Sequence, residues 1–351
     1  MRTVSSAPPS SNLLPGRARV RWTWSVLVAL TLSQFLLPAS GTTADSRELI
    51  LAAYSVPKEA YETRIIPAFQ KHWKQKTGQD LRIRSSYGAS GAQARAIIGG
   101  FEADIAALSI ESDVDQVAKA GLITHNWRQG PHKGIVATSV VALGVRKGNP
   151  KGIKTWEDLT KPGLEVLYPN PKTSGGAMWD IIAIYGAGLK LVPPSGTTAD
   201  AYAAGLVKRI QKNVKVMDKS GRESVTTFER GVGDVIVTYE NELMPRIKNG
   251  RPYELVVPTE TVLIENPIAV VDRNVDKHKA RDLAEAFVAF LRGAEAQRAF
   301  SDLGFRPLEE SEGSTGLFTV ADLGGWDKVS NLLFGPQGVW TKAVEELARG
   351  K

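Results

Sequence analysis

Cysteine is absent from all 351 residues. That excludes a disulfide scaffold, thiolate metal sites, a thiol nucleophile and a lipid-modified N-terminal cysteine. Histidine is scarce: His72, His125, His132 and His278 are the whole set. No two stand at metal-ligand spacing, none forms a motif with a serine, and surface or capping roles account for all four. A G-x-x-x-x-G-K-[ST] phosphate loop is missing too, since Gly231-Val232-Gly233-Asp234 is too short to count. No dense lysine and arginine stripe occurs. The formal charge of +7 owes much to Arg2, Arg17, Arg19 and Arg21, in a first 44 residues that contain no acid. The remainder holds 40 basic against 37 acidic residues, which gives no footprint for nucleic acid. No cofactor motif is found. Aromatics, at 7%, still suffice for cores, and the length favours two lobes over one.

Outside the leader no apolar run is long enough to span a membrane. Within the leader, Trp22 to Leu37 (WTWSVLVALTLSQFLL) follows the arginines and precedes Pro38 and the small residues 39–44. Charged, apolar and small-residue regions in that order read as a secretory signal, with cleavage after Gly41 or Ala44 fitting equally well. The run is short of the ~20 residues that span a bilayer, and Thr23, Ser25, Thr31, Ser33 and Gln34 dilute it. Residues 1–44 are therefore expected to be a signal peptide, and the mature chain a soluble exported protein without stable membrane insertion.

The mature chain alternates strand-like runs with helical periods. Leu49–Ala53, Leu81–Ser85, Ala103–Ser109, Glu165–Tyr168, Lys215–Asp218 and Val235–Tyr239 read as strands. Helices are expected from Pro57 to about Thr77, then at Ser90–Ile98, Val114–Ala120, Gly175–Gly188 and Glu223–Gly231. On the first, Tyr61, Ile65, Phe69 and Trp73 form one apolar stripe. The alternation predicts an α/β fold of parallel, doubly wound sheets covered by helices. Ile135–Val145 and Val262–Asp272 lie outside the rhythm and read as extended connections crossing between lobes. This gives lobe 1 as 45–134 with 262–310, lobe 2 as 135–261, and a tail at 311–351 packing across both.

Small hydroxyl residues and glycines cluster where strands turn into helices. The joints are Tyr54-Ser55-Val56-Pro57, Ser86 to Ala92, Pro169 to Gly176, and Lys219 to Ser224. At a helix start the first N–H groups lack intrahelical partners, and the dipole presents partial positive charge. Any one joint is accounted for by ordinary capping. Four of them, two in each expected lobe, point to an anion held between lobes. Enzyme readings are weaker. Gly88-Ala89-Ser90-Gly91-Ala92 half-matches a G-x-S-x-G elbow, but alanine replaces the last glycine. The carboxylate pairs Asp113/Asp115 and Glu240/Glu242 read as solvated helix-start and loop residues. An exported hydrolase stands as the alternative from a different class.

At these same residues the sequence resembles the periplasmic sulfate-binding proteins that feed ABC transporters, in the sulfate/thiosulfate branch of the two-lobed solute-binding family. The resemblance spans nearly all of the mature chain. It rests on FQKHWKQKTG (69–78), SSYGASGAQ (85–93), VRKGNP (145–150), PNPKTSGG (169–176), TFERGVGD (227–234) and YENE (239–242). It implies a type II periplasmic-binding-protein-like fold, two doubly wound lobes joined by extended hinge strands, and a monomer in the periplasm. It also implies no catalysis, no metal and no cofactor. Its ligand would be sulfate or a related oxyanion, and its partner an ABC transporter permease. The residues it assigns to the anion are the N–H of Ser55, the hydroxyl of Ser90, Ser174 with the N–H groups of Gly175 and Gly176, the N–H of Gly221, and Tyr239. Arg222 would act from behind, bonding to main chain near the site. Two positions depart from the family's usual residues: Ser55 stands for aspartate and Tyr239 for tryptophan. Unlike an indole, the Tyr239 phenol can also accept a hydrogen bond. A donor-only site suits a fully ionised sulfate, whereas phosphate keeps a proton that needs an acceptor. Thiosulfate and molybdate remain open.

Overall fold

A computed structural model describes residues 46–308 and 316–350. The expected signal peptide, both cleavage points and the 310/311 boundary lie outside the described residues. Among those residues no helix is long and apolar enough to cross a membrane.

Ten strands form one continuous, mixed sheet. They are β1 (Arg47–Tyr54), β2 (Leu81–Gly88), β3 (Ile105–Ala107), β4 (Ile135–Arg146), β5 (Val166–Leu167), β6 (Val214–Val216), β7 (Val235–Tyr239), β8 (Tyr253–Val256), β9 (Thr261–Val270) and β10 (Leu317–Phe318). The order across it is β2-β1-β3-β9-β4-β7-β5-β6, with β8 on β4 and β10 on β9. Two parallel trios, β2-β1-β3 and β7-β5-β6, match the doubly wound expectation for each lobe. β4 and β9, the two stretches outside the alternation, run antiparallel to each other and to β7 and β3 respectively, while β10 pairs parallel with β9. A strand that joins a sheet edge without a helical crossover has no need to run parallel.

β4 and β9 pass from one trio to the other. Ile135–Val140 of β4 pairs with Leu263–Pro267 of β9, and Val141–Val145 of β4 then pairs with β7. Beyond Pro267, β9 continues along β3 through Ile268–Val270. Every residue of β4 except Arg146, and of β9 except Glu265, is buried. Such strands carry continuous apolar runs rather than alternation, which is why both stood out in the sequence.

The helix after β1 holds its stripe by a local device. Tyr61, Ile65, Phe69 and Trp73 are all buried, at a four-residue spacing that drifts ~40° per step on a straight α-helix. A π-helical turn at Tyr61–Ile65 takes up that drift before the α-helix Ile66–Thr77 begins. Phe69 then packs edge-on against Phe287, with centroids 5.0 Å apart. The tail packs through its helices. Trp326–Phe334 touches both Glu111–Lys119 and Gly175–Lys190, and Val339–Ala348 lies on Ala199–Lys212.

Candidate anion-binding site

The helix starts flagged by the sequence come together where the two trios face each other. Helix Ser90–Ile98 follows β2, and helix Gly175–Lys190 follows β5 with Ser174 as its N-cap. Helix Gly221–Glu229 follows β6, capped by Ser220, and Tyr239 ends β7. Ser55 lies directly after β1, its carbonyl accepting from the Lys58 N–H at 3.4 Å. Ser90, Ser174, Gly175, Gly176, Gly221 and Tyr239 are all buried, while Ser55 is half-buried.

Ser109, just past β3, sits at the centre. Its Oγ is 2.6 Å from the Tyr239 phenol oxygen, and either group can donate. Its carbonyl accepts from Trp179 Nε1 at 2.9 Å and from Asn266 Nδ2 at 3.0 Å. Its N–H donates to Ser90 Oγ at 2.9 Å. Ser109 therefore joins elements of both trios and the crossing strand β9. A Cβ on Gly175 would fall 2.8 Å from Ser109 Oγ, so glycine is what allows this approach. Beside it, a Cβ on Gly176 would stand 3.5 Å from Tyr239 Cε1. Thr173 and Gly91 face each other, and Gly221 lies near Val56.

Arg222 sits behind the helix start. Its Nη2 donates to the Val56 carbonyl at 2.9 Å and lies 3.0 Å from Glu242 Oε1. Arg246 reaches the other Glu242 oxygen at 3.0 Å. Glu240 pairs with Arg306 at 2.7 Å. Glu240 and Glu242 do open a helix, Glu240–Lys248, but both are buried in ion pairs rather than solvated.

Asp113 also corrects the expectation of solvation. It is buried within the first turn of helix Glu111–Lys119 and accepts the Ser90 hydroxyl proton at 2.5 Å. Burial pushes its carboxyl up to about 6, against the lowering effect of that bond. Asp115 behaves differently, in a two-bond fork with Arg128. Ser90 therefore has Asp113 and the Ser109 N–H as its partners, and no histidine. His125 bonds to Asp272, His278 to Asp104 and Glu102, and His72 stacks on Phe69. Among the described residues no cluster could hold a metal ion.

A cavity of about 670 Å³ opens onto this region, lined by Ser55, Gly88, Thr173, Ser220 and Arg222 among others. A larger one of about 1030 Å³ lies elsewhere, around Arg64, Met244 and Ser301, and includes none of the sequence-predicted residues. Sequence reasoning misread Asp113 and missed Ser109, Trp179 as a bonding group, Asn266 and Asp180. Only the last carried a signal: it is the one charged residue between Lys172 and Lys190.

The family model for bacterial extracellular solute-binding proteins matches residues 49–306. A sulfate-binding protein of Synechococcus elongatus is 45% identical over 324 residues, covering 89% of this chain and 91% of that protein. A thiosulfate-binding protein of Pseudomonas aeruginosa is 36% identical, covering 77% of this chain and 81% of its own length. The solved sulfate-binding protein SubI from Mycobacterium tuberculosis superposes with a TM-score of 0.73 at 36% identity. That match covers 82% of this chain and 99% of SubI. The chain thus belongs to the bacterial extracellular solute-binding proteins, in the branch that contains the sulfate- and thiosulfate-binding proteins.

Proposed function

We propose that this protein is an exported, non-enzymatic carrier that captures sulfate between its two lobes and delivers it to an ABC-type permease. The observation that carries the reading is that the starts of helices Ser90–Ile98 and Gly175–Lys190, one from each trio, meet at Ser109 and Tyr239, while the start of Gly221–Glu229 lies against Val56 beside Ser55. Free N–H groups at Gly175, Gly176 and Gly221, with the hydroxyls of Ser174 and Tyr239, supply donors to an anion. Ser55 adds its N–H from the other lobe. Ser90 has a single proton, which it gives to Asp113 in this arrangement. It becomes a donor to the anion when Asp113 is protonated and takes over the donor role in that pair. Each charge-assisted bond contributes ~1.5–3 kcal/mol, enough in sum to offset dehydration of a dianion.

The lobe division belongs to the same reading: 45–134 with 262–310 against 135–261, and the tail across both. The swap of β4 and β9 between trios supports it. A monomer in the periplasm belongs to the same reading. A second reading, thiosulfate, draws support from the Ser109–Tyr239 hydroxyl pair, which can donate or accept towards an asymmetric anion.

Calorimetry of the ligand-stripped protein against sulfate, thiosulfate, molybdate and phosphate tests this. Micromolar or tighter sulfate binding is expected. Heat with phosphate alone, or with none of the four, sinks the reading.

A further inference from the structure

Asp180 has no role in the site as described so far, and its surroundings are hostile to a charge. It stands in the second turn of helix Gly175–Lys190 with 1% of its surface exposed, and neither carboxyl oxygen has a hydrogen-bond partner. Four residues beyond Gly176, it shares that residue's helix face, and side chains on a helix lean towards its N-terminus. The Cβ direction of Gly176 points at Tyr239. The carboxyl thus lies behind the helix start that faces the anion.

The titratable groups that feel its charge are Tyr239 at the end of β7 and Tyr168 just beyond β5. Both are fully buried and hold their protons well beyond neutral pH. Neighbouring elements bring other ionisable groups, all engaged elsewhere. On helix Ser90–Ile98, Arg95 acts on Asp113. On the same helix as Asp180, Tyr185 bonds to Asp200 of Ala199–Lys212. On Trp326–Phe334, Asp327 and Lys328 are exposed. Burial alone drives the Asp180 carboxyl well above the ordinary range, with no cation to oppose it. A buried carboxyl without a partner neutralises rather than stays charged.

We propose that Asp180 is a neutral carboxylic acid in the native protein, and that its ionisation is incompatible with a dianion at the helix start in front of it. This rests on the proposed oxyanion reading and adds a proton linkage to it. Charge at Asp180 would set one anion against another inside a dry interior and oppose the helix N-terminus that holds the ligand. Anion affinity therefore falls as pH rises through the Asp180 midpoint, by up to about tenfold per pH unit. Sulfate itself gains or loses no proton from pH 7 to 10. Tyr239 stays protonated there. Asp113 ionises near 6 and regains its proton when Ser90 donates to the anion, which adds a slope of its own. The affinity comparison is therefore made with Asp113→Asn in both proteins.

Two measurements on the full mature chain test this. Infrared spectra of the parent and Asp180→Asn should differ by a protonated-carboxyl C=O band at pH 7, and alkaline titration of the parent should bleach it. Sulfate titrations across the alkaline range in which the infrared band bleaches, with Asp113→Asn in both proteins, should show the protein that keeps Asp180 losing affinity as its band is lost, by up to about tenfold per pH unit, while the one with Asp180→Asn stays flat. Absence of the band in the parent at pH 7, or parallel loss of affinity in both proteins, overturns the proposal. If neither protein binds sulfate at any pH, the sulfate reading fails, and the infrared band alone decides whether Asp180 is neutral.

Discussion

Replacing Gly175 by alanine places a methyl group in a close contact between elements that follow strands of the two trios. Its Cβ would meet Ser109 Oγ at 2.8 Å, Ser109 Cβ at 2.9 Å and Ile110 Cγ2 at 3.2 Å. Ordinary contact needs about 3.5 Å or more, so Ser109 must retreat by over half an ångström. Retreat is resisted, because its hydroxyl, carbonyl and N–H are bonded to Tyr239, Trp179, Asn266 and Ser90. Overpacking of this kind costs ~1–3 kcal/mol. Gly175 and Ser109 follow strands of different trios, so separating the lobes relieves the clash without unfolding either one. The cost then falls on the closed, ligand-binding form, a roughly 5- to 150-fold loss of sulfate affinity. Gly175 is not in the left-handed region, and alanine favours helix, so stability of the ligand-free protein should hold or rise slightly. Calorimetry gives the affinity, X-ray scattering with and without sulfate the closure, and a thermal melt the fold. Affinity within twofold of the parent, with a normal melt, would refute the claim that this contact closes on the ligand.

Three further outcomes are expected. Ser174→Ala should weaken sulfate binding by ~1–3 kcal/mol while costing the fold no more than ~1 kcal/mol, since its cap bond to the Ala177 N–H is long at 3.4 Å; equal affinity by calorimetry removes Ser174 from the site. Tyr239→Phe should strand the Ser109 hydroxyl and cost ~1–3 kcal/mol of affinity, with the ring still packed at 6.3 Å from Tyr54; indistinguishable titrations with sulfate, thiosulfate and molybdate would return Tyr239 to a packing role. Asp113 releases its proton near 6 when folded, against an ordinary 3.8. Between those values the native state binds the extra proton, so this group makes stability rise as pH falls from about 6 towards 4. Asp113→Asn should flatten that slope in urea melts, and an unchanged slope counts against burial as the cause of the raised carboxyl.

Helix starts and crossing strands were legible in the sequence because each is a local signal. Ser90–Ile98 and Val235–Tyr239 begin and end where their patterns do, and Ser174-Gly175-Gly176 carries a cap beside glycines. The crossing strands showed as apolar runs, but their antiparallel pairing did not, since direction depends on partners more than a hundred residues away. Helix Glu240–Lys248 escaped notice because Pro245 interrupts its pattern and its first-turn acids are buried by Arg222, Arg246 and Arg306.

Ser109 escaped for a different reason. A serine after an apolar strand is unremarked in sequence, and it matters because Tyr239 arrives from 130 positions away. Asp180 is the converse case, visible in sequence and easily passed over. One acid in GGAMWDIIAIYGAGLK has no polar face to occupy, because almost every residue of that helix as far as Gly188 is buried. A charge placed there by sequence needs a partner or a proton, and the described structure offers it no partner. In the proposed site that burial sets the carboxyl behind the anion-facing turn, so its proton is one point at which pH acts on the ligand.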